Sequence, residues 1–549
     1  MTPGVTRETV DGMSLAKIDA IIGALRTESY RWSPARRVYI EKKGSTKKRP
    51  LGMPPWSDKI VAEVVRMLLD AYYDVRFSDR SHGFRSGRGC HTALEEVVSA
   101  WKGTHWFIEG DISDCFGSLD RQIMVSTLAE HIHDGRFLQL IERMLSAGYL
   151  EDWRWNATLS GCPQGGIASP VLSNVYLDRF DQFVERQLIP EYDRGKLRRK
   201  DRRYRDVQNQ IAKAKRHGDR DAVRALRLQR RSLPSQDPDD PGYRRLRYVR
   251  YCDDFLLGFA GPRREAEDIK SKIQTFLRSE LRLELSDSKT LITHATSQAA
   301  RFLGYEIRAQ HADTKITRDR RMVNGQIGLL VPRDVIRSKC ANYMSKGKPA
   351  FRGPLIHDED YTIVAKYGAE YRGLVQYYLP AQNVFRLDVL HRAMEISMLK
   401  TLARKHKSTV TKMARKYKAV IDTPDGPRTC FQVTVQRDRG RKPLVARFGG
   451  IPLKRKRTAV ITDLKPIMAT TQGNELIHRL LAGRCEMCES TMGLQVHHIR
   501  KLANLEKPGR PERPGWIRLM AMRKRKTLVV CQACHQNIHA GRATTTTRK

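Results

Sequence analysis

Two apolar, strand-like segments of the sequence end in carboxylates. The run from Trp106 finishes at Asp111, and apolar runs flank Asp253 and Asp254, which predicts a β-hairpin with adjacent aspartates at its turn. Adjacent aspartates are more often a solvated turn, but apolar strands on both sides favour a carboxylate site. Such carboxylates can hold two Mg²⁺ ions that stabilise the attacking and leaving oxygens of phosphoryl transfer. We therefore expect the two strands to bring their carboxylates together.

Four of the ten cysteines form two close pairs near the C-terminus, Cys485–Cys488 and Cys531–Cys534. Each pair can fix two thiolates on a tight turn, which predicts a tetrahedral zinc site. The six scattered cysteines are expected to be small buried residues. Histidines accompany the pairs, and the last two are spaced to share one face of a helix. These histidines are His497, His498, His535 and His539.

The segments that must position these residues differ in pattern. Residues 1–190 mix short apolar runs with Gly and Pro, which is typical of an α/β region. Residues 193–242 are rich in Lys and Arg and end in a Pro- and Asp-rich stretch, which indicates either a charged helix pair or a floppy insertion. Residues 331–418 have the apolar spacing of helices, whereas 419–470 are basic and look irregular.

Composition points to a polyanionic partner. The 549 residues include 101 Lys or Arg against 60 Asp or Glu, a net charge of +41, which favours nucleic acid over an acidic membrane. Hydrophobic residues make up 40%, enough to bury cores, and the length indicates two to four domains. We find no apolar run long enough for a membrane span and no signal peptide, so a cytoplasmic protein with reduced cysteines is expected.

Seven blocks, in order between residues 48 and 305, resemble those of reverse transcriptases. Tyr251-Cys-Asp-Asp254 is similar to the YxDD box, and Gly161-Cys-Pro-Gln-Gly-Gly-Ile-Ala-Ser-Pro-Val-Leu-Ser-Asn-Val-Tyr176 resembles the fourth block of group II intron-encoded proteins. The other blocks are Lys48–Pro55, His82–Gly89, Gly110–Phe116, Leu285–Thr290 and Phe302–Tyr305.

The resemblance implies a role for each matching residue. Asp111 and Asp253 would hold the two catalytic Mg²⁺ ions, with Asp254 beside them. Phe116 would block a ribose 2′-hydroxyl and so favour dNTPs, although it could be an ordinary core residue. The other implied nucleotide contacts are Arg85 at the triphosphate, Gln164 at the incoming nucleotide and Lys289 at the primer or nucleotide.

The helical segment resembles the maturase domain X, which also serves as the polymerase thumb. Tyr371–Asn383 carries its signature. The resemblance implies a basic helical bundle that binds structured intron RNA, and its alternative is a core helix with buried tyrosines. The implied RNA contacts are Tyr371, Arg372, Lys400 and Arg404.

The C-terminal cluster resembles an HNH endonuclease. The resemblance implies a structural zinc at the four cysteines, and a catalytic divalent ion, expected to be Mg²⁺, at His497, His535 and His539. His498 would be the general base that activates water. One departure is that Thr527 stands where the family often has the asparagine of its name. The alternative is a purely structural zinc module that binds DNA.

The resemblance implies a multidomain α+β chain. Its parts would be polymerase fingers and palm at 1–320 with the insertion at about 193–242, the thumb at 331–418, a basic DNA-binding region at 419–470, and a ββα-metal HNH domain at 475–549. Relatives carry a basic stretch before the motif at Thr2–Val5, so either the start is late or the extension is missing.

The implied function is that of a group II intron-encoded protein. It would be an RNA-directed DNA polymerase, a maturase that assists splicing of its intron RNA, and an HNH endonuclease that nicks target DNA to prime reverse transcription. Its partners would be the intron RNA in a ribonucleoprotein, double-stranded DNA and dNTPs, with no membrane, and it would associate with the nucleoid when bound to DNA. Two alternatives are a splicing-only maturase with vestigial enzymes and a reverse transcriptase of a defence or diversity system.

Overall fold

The computed structural model describes residues 4–6, 8–41, 48–151, 154–156, 166–316, 321, 323–436, 443–457, 475–499, 514–523 and 525–542. Gln164 and the first two residues of the motif at Thr2–Val5 lie outside these ranges, as do residues 458–470 of the basic region. None of the helices in the described ranges is long and apolar enough to cross a membrane.

Helices and strands alternate through the first 192 residues, in keeping with the predicted α/β pattern. Strands β1, β2, β4 and β5 form a four-stranded sheet in the order β2-β1-β4-β5, and a π-helical turn joins the last two helices. The elements are α1 (Leu15–Arg26), β1 (Ala35–Glu41), β2 (Lys48–Met53), α2 (Trp56–Tyr73), α3 (Cys90–Ala100), β3 (Trp106–Asp111), α4 (Cys115–Ser118), α5 (Arg121–Ala129), α6 (Gly135–Ser146), β4 (Tyr149–Glu151), β5 (Arg154–Asn156), α7 (Ser169–Phe183) and α8 (Ile189–Tyr192).

The basic insertion folds as a helical hairpin. Helices α9 (Arg202–Arg216) and α10 (Arg220–Ser232) pack against each other, and each begins at an aspartate whose side chain accepts a backbone N–H bond. Val207 and Ile211 of α9 are buried. Of the two alternatives left by the sequence, an ordered helix pair is therefore the one found.

A second four-stranded antiparallel sheet lies in the region predicted to form the fingers and palm. Its order is β6-β7-β3-β8, so β3 pairs with strands far away in sequence. Helices α7 and α11 cover the sheet, with Phe180, Leu257 and Ile273 buried between them. The elements from here are β6 (Arg245–Tyr251), β7 (Asp254–Ala260), α11 (Arg263–Leu281), β8 (Ile292–His294), β9 (Ala300–Phe302), β10 (Tyr305–Ala309) and β11 (Ile327–Leu330).

The region predicted to be the thumb is helical, and a three-stranded sheet follows its helices and packs against them. After α12 (Arg333–Ala341) and the short strands β12 (Met344–Ser345) and β13 (Lys348–Pro349) come α13 (Asp360–Tyr378), α14 (Asp388–Lys405) and α15 (Val410–Tyr417). Strands β14 (Lys418–Thr423), β15 (Gly426–Val435) and β16 (Leu444–Gly449) follow as an antiparallel sheet.

This sheet corrects the expectation of an irregular region after residue 418. Phe431, Ala446 and Phe448 belong to the same hydrophobic core as α13 and α14. A Cβ at Gly368 of α13 would lie 2.0 Å from the carbonyl oxygen of Arg447, so the close approach of helix and sheet requires glycine there. Strands β14, β15 and β16 therefore pack as one body with the helices before them.

The C-terminal region has a ββα arrangement. Its elements are α16 (Glu475–Leu481), β17 (Leu494–His498), α17 (Gly515–Arg523), β18 (Thr527–Cys531) and α18 (Gln532–His539), with β17 antiparallel to β18. The N-terminal segment of the chain packs here, because Met13 shares a hydrophobic cluster with Leu480, Val496 and Val529.

Candidate functional site

Three aspartates meet where β3 and the β6–β7 hairpin end. The register pairs Asp111 with Asp254, and Asp253 lies in the two-residue turn between β6 and β7. Burial and repulsion from Asp253 and Asp111 raise the pKa of Asp254 to about 7, and burial and Asp111 also raise the pKa of Asp253. Lys289 donates from Nζ to Asp111 Oδ2 at 2.8 Å. One ammonium faces three carboxylates, so the site suits oxygen-preferring cations such as Mg²⁺.

The turn that carries Asp253 is tightly packed. Cys252 adopts a left-handed conformation with φ of 58°, which is uncommon for a residue with a side chain, and it is 7% exposed. The backbone of Gly83 lies against it, since a Cβ there would be 2.4 Å from Cys252 Sγ. The second fingers block therefore holds the aspartate turn in place.

Arg250 anchors the same hairpin from inside the protein, and sequence reasoning missed it. Its guanidinium is fully buried and donates twice to Asp181, from Nε to Oδ1 at 2.8 Å and from Nη2 to Oδ2 at 2.6 Å. Nη1 also donates to the carbonyl oxygen of Cys252 at 2.9 Å. No local pattern signals this contact, because Asp181 is 69 residues away in the sequence.

Arg85 has a structural position. It is 7% exposed, its Nε donates to Asp74 Oδ1 at 2.9 Å, and its Nη1 and Nη2 donate to the backbone carbonyls of Ser78, Ser81 and Asp74. Because the guanidinium is already engaged by these acceptors, this geometry does not support the predicted triphosphate contact.

Phe116 lies in α4, directly after the β3 aspartate, and is partly exposed. Its ring packs edge to face against Phe84, with 6.4 Å between centroids, and Phe84 is 46% exposed. Two aromatic rings thus line the surface next to the aspartates, which fits a residue that meets substrate better than an ordinary core position.

The four residues predicted to bind RNA have different surroundings. Tyr371 is 2% exposed and packs against Phe448, with 5.5 Å between ring centroids, so the structure contradicts a direct RNA contact for it. Lys400 is half-buried and donates to the carbonyl oxygen of Pro349 at 2.8 Å. The remaining two, Arg372 and Arg404, are exposed.

The two cysteine pairs converge. The four Sγ atoms all lie within 4.8 Å of one another, and those of Cys488 and Cys531 are 3.6 Å apart. Backbone N–H groups of Met487 and Cys534 donate to the first thiol of each pair, which is the geometry of tight turns. Although burial opposes it, backbone N–H groups of Cys488, Cys531 and Met487 lower the pKa of the Cys485 thiol. The donor set fits a structural zinc ion.

A second cluster joins three of the predicted histidines to an aspartate. Ligand atoms of His497, His535, His539 and Asp11 all lie within 4.8 Å of one another. His539 Nε2 is 2.7 Å from Asp11 Oδ2, and His535 Nε2 is 3.1 Å from Asp11 Oδ1. Asp11 was missed because its partners lie more than 480 residues away, and no spacing pattern reaches that far.

His498 is outside this cluster but adjoins it. Its backbone N–H donates to Asp11 Oδ1 at 2.6 Å, and it pairs with Thr527 across the β17–β18 ribbon. Burial lowers the pKa of its imidazole, which favours the neutral form that can accept a proton. Thr527 Oγ1 accepts a bond from Arg479 at 2.8 Å, so it helps to hold the ribbon.

An antiparallel sheet that presents paired aspartates beside a helical thumb defines a nucleic acid polymerase. Residues 40–307 match the family "Reverse transcriptase (RNA-dependent DNA polymerase)". Residues 331–434 match "Type II intron maturase", and residues 485–535 match "AI2M/AI1M-like, HNH endonuclease". The chain is thus a reverse transcriptase and endonuclease that also carries a maturase domain.

Relatives narrow this class to one family. The chain is 37% identical to "Group II intron-encoded protein LtrA" of Lactococcus lactis subsp. cremoris, over 98% of this chain and 91% of that protein. It is 32% identical to "Uncharacterized 91 kDa protein in cob intron" of Schizosaccharomyces pombe, over 99% of this chain and 67% of that protein. The chain belongs to the group II intron-encoded proteins, which confirms the resemblance drawn from its motifs.

Proposed function

We propose that this protein acts in a ribonucleoprotein with its own intron RNA. It would assist splicing of that RNA and remain bound while the RNA inserts into one strand of a DNA target. The HNH domain would nick the other strand, and the polymerase would extend the nicked end with dNTPs to copy the intron. The observation that carries the polymerase step is the cluster of Asp111, Asp253 and Asp254, and the net charge of +41 suits the nucleic acid partners.

The aspartates would act as the ligands of two Mg²⁺ ions, which supply stabilisation for the attacking and leaving oxygens. Lys289 would release Asp111 when cations arrive and turn its ammonium towards the primer or the incoming nucleotide. Phe116 would lie against the sugar and exclude a 2′-hydroxyl. Gln164 would contact the incoming nucleotide.

The polymerase assignment is tested by primer extension on an RNA template with Mg²⁺ and dNTPs. Asp253→Ala should abolish extension, because it removes a metal ligand, and should leave RNA binding intact, because the basic surface is unchanged. Asp287→Ala, an exposed aspartate near Lys289, is the matched control and should extend normally. No extension by the wild-type protein would instead favour the splicing-only maturase.

The nuclease assignment rests on the histidine cluster and on His498. His498→Ala should stop nicking of the target strand and spare splicing, since it removes the base that takes a proton from water. His478→Ala, an exposed histidine of α16, is the control and should nick like the wild type. Nicking that persists in His498→Ala would show that another group is the base.

The ion at the histidine cluster is proposed to be a transition metal. Three imidazoles and one carboxylate suit borderline metals such as Zn²⁺ or Ni²⁺, whereas Mg²⁺ prefers oxygen ligands and retains water. This differs from the expectation of Mg²⁺ drawn from the family resemblance.

The exposed arginines Arg372 and Arg404 are proposed to contact RNA, and the cluster Lys454–Arg457 is proposed to contact DNA phosphates.

A further inference from the structure

We propose that Asp11, from the N-terminal segment of the polymerase half, is the fourth protein ligand of the nuclease metal. The inference deepens the proposed nuclease function and rests on it. A residue outside the HNH domain would then complete that domain's metal site.

Asp11 is held in position by the backbone on both sides of it. Gly12 donates its N–H to the carbonyl oxygen of Val496 at 2.7 Å, and Val496 donates back to that of Met13 at 2.8 Å. Gly12 has a φ of 79°, a left-handed conformation that glycine adopts without strain. The N-terminal segment thereby adds itself to the edge of β17, and the carboxylate of Asp11 faces the histidines.

The ring of His535 shows which of its nitrogens is available to a cation. Its Nδ1 lies 2.9 Å from Gln495 Oε1, and in the neutral tautomer whose Nδ1–H donates to that oxygen, Nε2 keeps a lone pair. That lone pair faces Asp11 Oδ1 at 3.1 Å and His539 Nε2 at 3.2 Å. Acceptor atoms so close together repel unless a proton or a cation lies among them, and one cation can satisfy all of them at once. The bond to Gln495 is the kind of outer contact that orients metal-binding histidines.

His497 provides an independent observation. It is 4% exposed, its Nε2 has no hydrogen-bond partner among the described residues, and its Nδ1 lies 3.3 Å from Asp11 Oδ1. A buried ring nitrogen without a hydrogen bond costs free energy, and a metal bound beside Asp11 would take Nδ1 as a ligand, which likewise has no hydrogen-bond partner among the described residues. Loading of the nuclease would then depend on contact between the HNH domain and the N-terminal segment.

The test is Ni²⁺ binding to the full-length, zinc-loaded protein, measured by calorimetry with excess Mg²⁺ to fill the oxygen-ligand sites. Asp11→Asn keeps the shape and an oxygen that can accept the N–H bond of His498, but it loses the charge. We expect it to weaken Ni²⁺ binding about tenfold or more, comparably to His539→Ala. Asp19→Asn, an exposed aspartate of α1, is the control and should bind like the wild type. Asp11→Glu, which restores a carboxylate, should recover part of the affinity.

The possible results distinguish failure of the inference about Asp11 from failure of the proposed nuclease metal site. If Ni²⁺ binding is weaker in Asp11→Asn and in His539→Ala but unchanged in Asp19→Asn, the result supports Asp11 as a metal ligand. If Ni²⁺ binding is weaker in His539→Ala but not in Asp11→Asn, the result overturns the inference about Asp11 and leaves the histidine metal site standing. No change in His539→Ala overturns the metal site itself. Tighter binding in Asp11→Asn would show that Asp11 competes with the ion rather than binding it, which also overturns the inference.

Discussion

At the polymerase centre, individual side chains combine charge with shape. Burial, together with repulsion from Asp253 and Asp111, raises the pKa of Asp254 to about 7, so the site is prepared for cations that neutralise it. Phe116 adds shape, because its partly exposed ring pairs with Phe84 beside the aspartates. The shape of this centre leads to a prediction about selectivity for the sugar of the incoming nucleotide.

Phe116→Ala should let the polymerase incorporate ribonucleotides, since removing the ring opens space for a 2′-hydroxyl. The measurement is the ratio of kcat/KM for a dNTP to that for the matching ribonucleotide, which should fall at least tenfold, about 1.4 kcal/mol. Phe385→Ala, an exposed phenylalanine of the thumb region, should leave the ratio unchanged. An unaltered ratio in Phe116→Ala would remove this residue as the sugar gate.

At the scale of elements, the β6–β7 hairpin depends on a buried ion pair. Arg250 joins α7, through Asp181, to the carbonyl oxygen of Cys252 at the catalytic turn. A buried charge that loses its partner is costly, because the interior cannot solvate it. The pair therefore fixes where the turn lies and makes its position sensitive to substitution.

Arg250→Met should lower the free energy of unfolding of the polymerase half by about 3–5 kcal/mol, because it leaves Asp181 buried without its cation. Urea denaturation followed by tryptophan fluorescence measures this. Arg247→Met, on the same strand but the opposite face, should cost at most about 1 kcal/mol, since that arginine is half-exposed and 4.0 Å from Asp193. Equal losses of unfolding free energy in Arg250→Met and Arg247→Met would contradict a special role of the buried ion pair. The double variant Arg250→Met with Asp181→Leu should be more stable than Arg250→Met alone.

At the scale of the whole molecule, the net charge of +41 predicts binding that is governed by phosphates. Affinity for intron RNA should fall steeply with salt, by about a thousandfold or more between about 50 and about 200 mM. Arg372→Glu combined with Arg404→Glu should make the plot of log K against log salt shallower. Arg136→Glu, on an exposed arginine of α6, serves as the control. If the double variant leaves this slope unaltered, the RNA binds to a different surface of the protein.

Much of the fold class followed from local pattern, and the failures have physical causes. Short apolar runs interrupted by Gly and Pro predicted the α/β region, and apolar spacing predicted the helices of residues 331–418. The β14–β16 sheet was missed because its strands also carry exposed apolar residues, among them Val420, Leu444 and Val445, and these obscure the alternation. Tyr371 and Arg85 were assigned to ligands, although the protein's own core and carbonyls engage them.

The sequence by itself determined the chemistry available to this protein. Spacing over a few residues places aspartates at a turn, thiolates in pairs and histidines on one helix face, because backbone geometry acts over that range. Only the tertiary structure decided which of these groups meet. Asp11 joins histidines more than 480 residues away, and Arg250 finds Asp181, because packing of distant elements sets such contacts and no local rule encodes them.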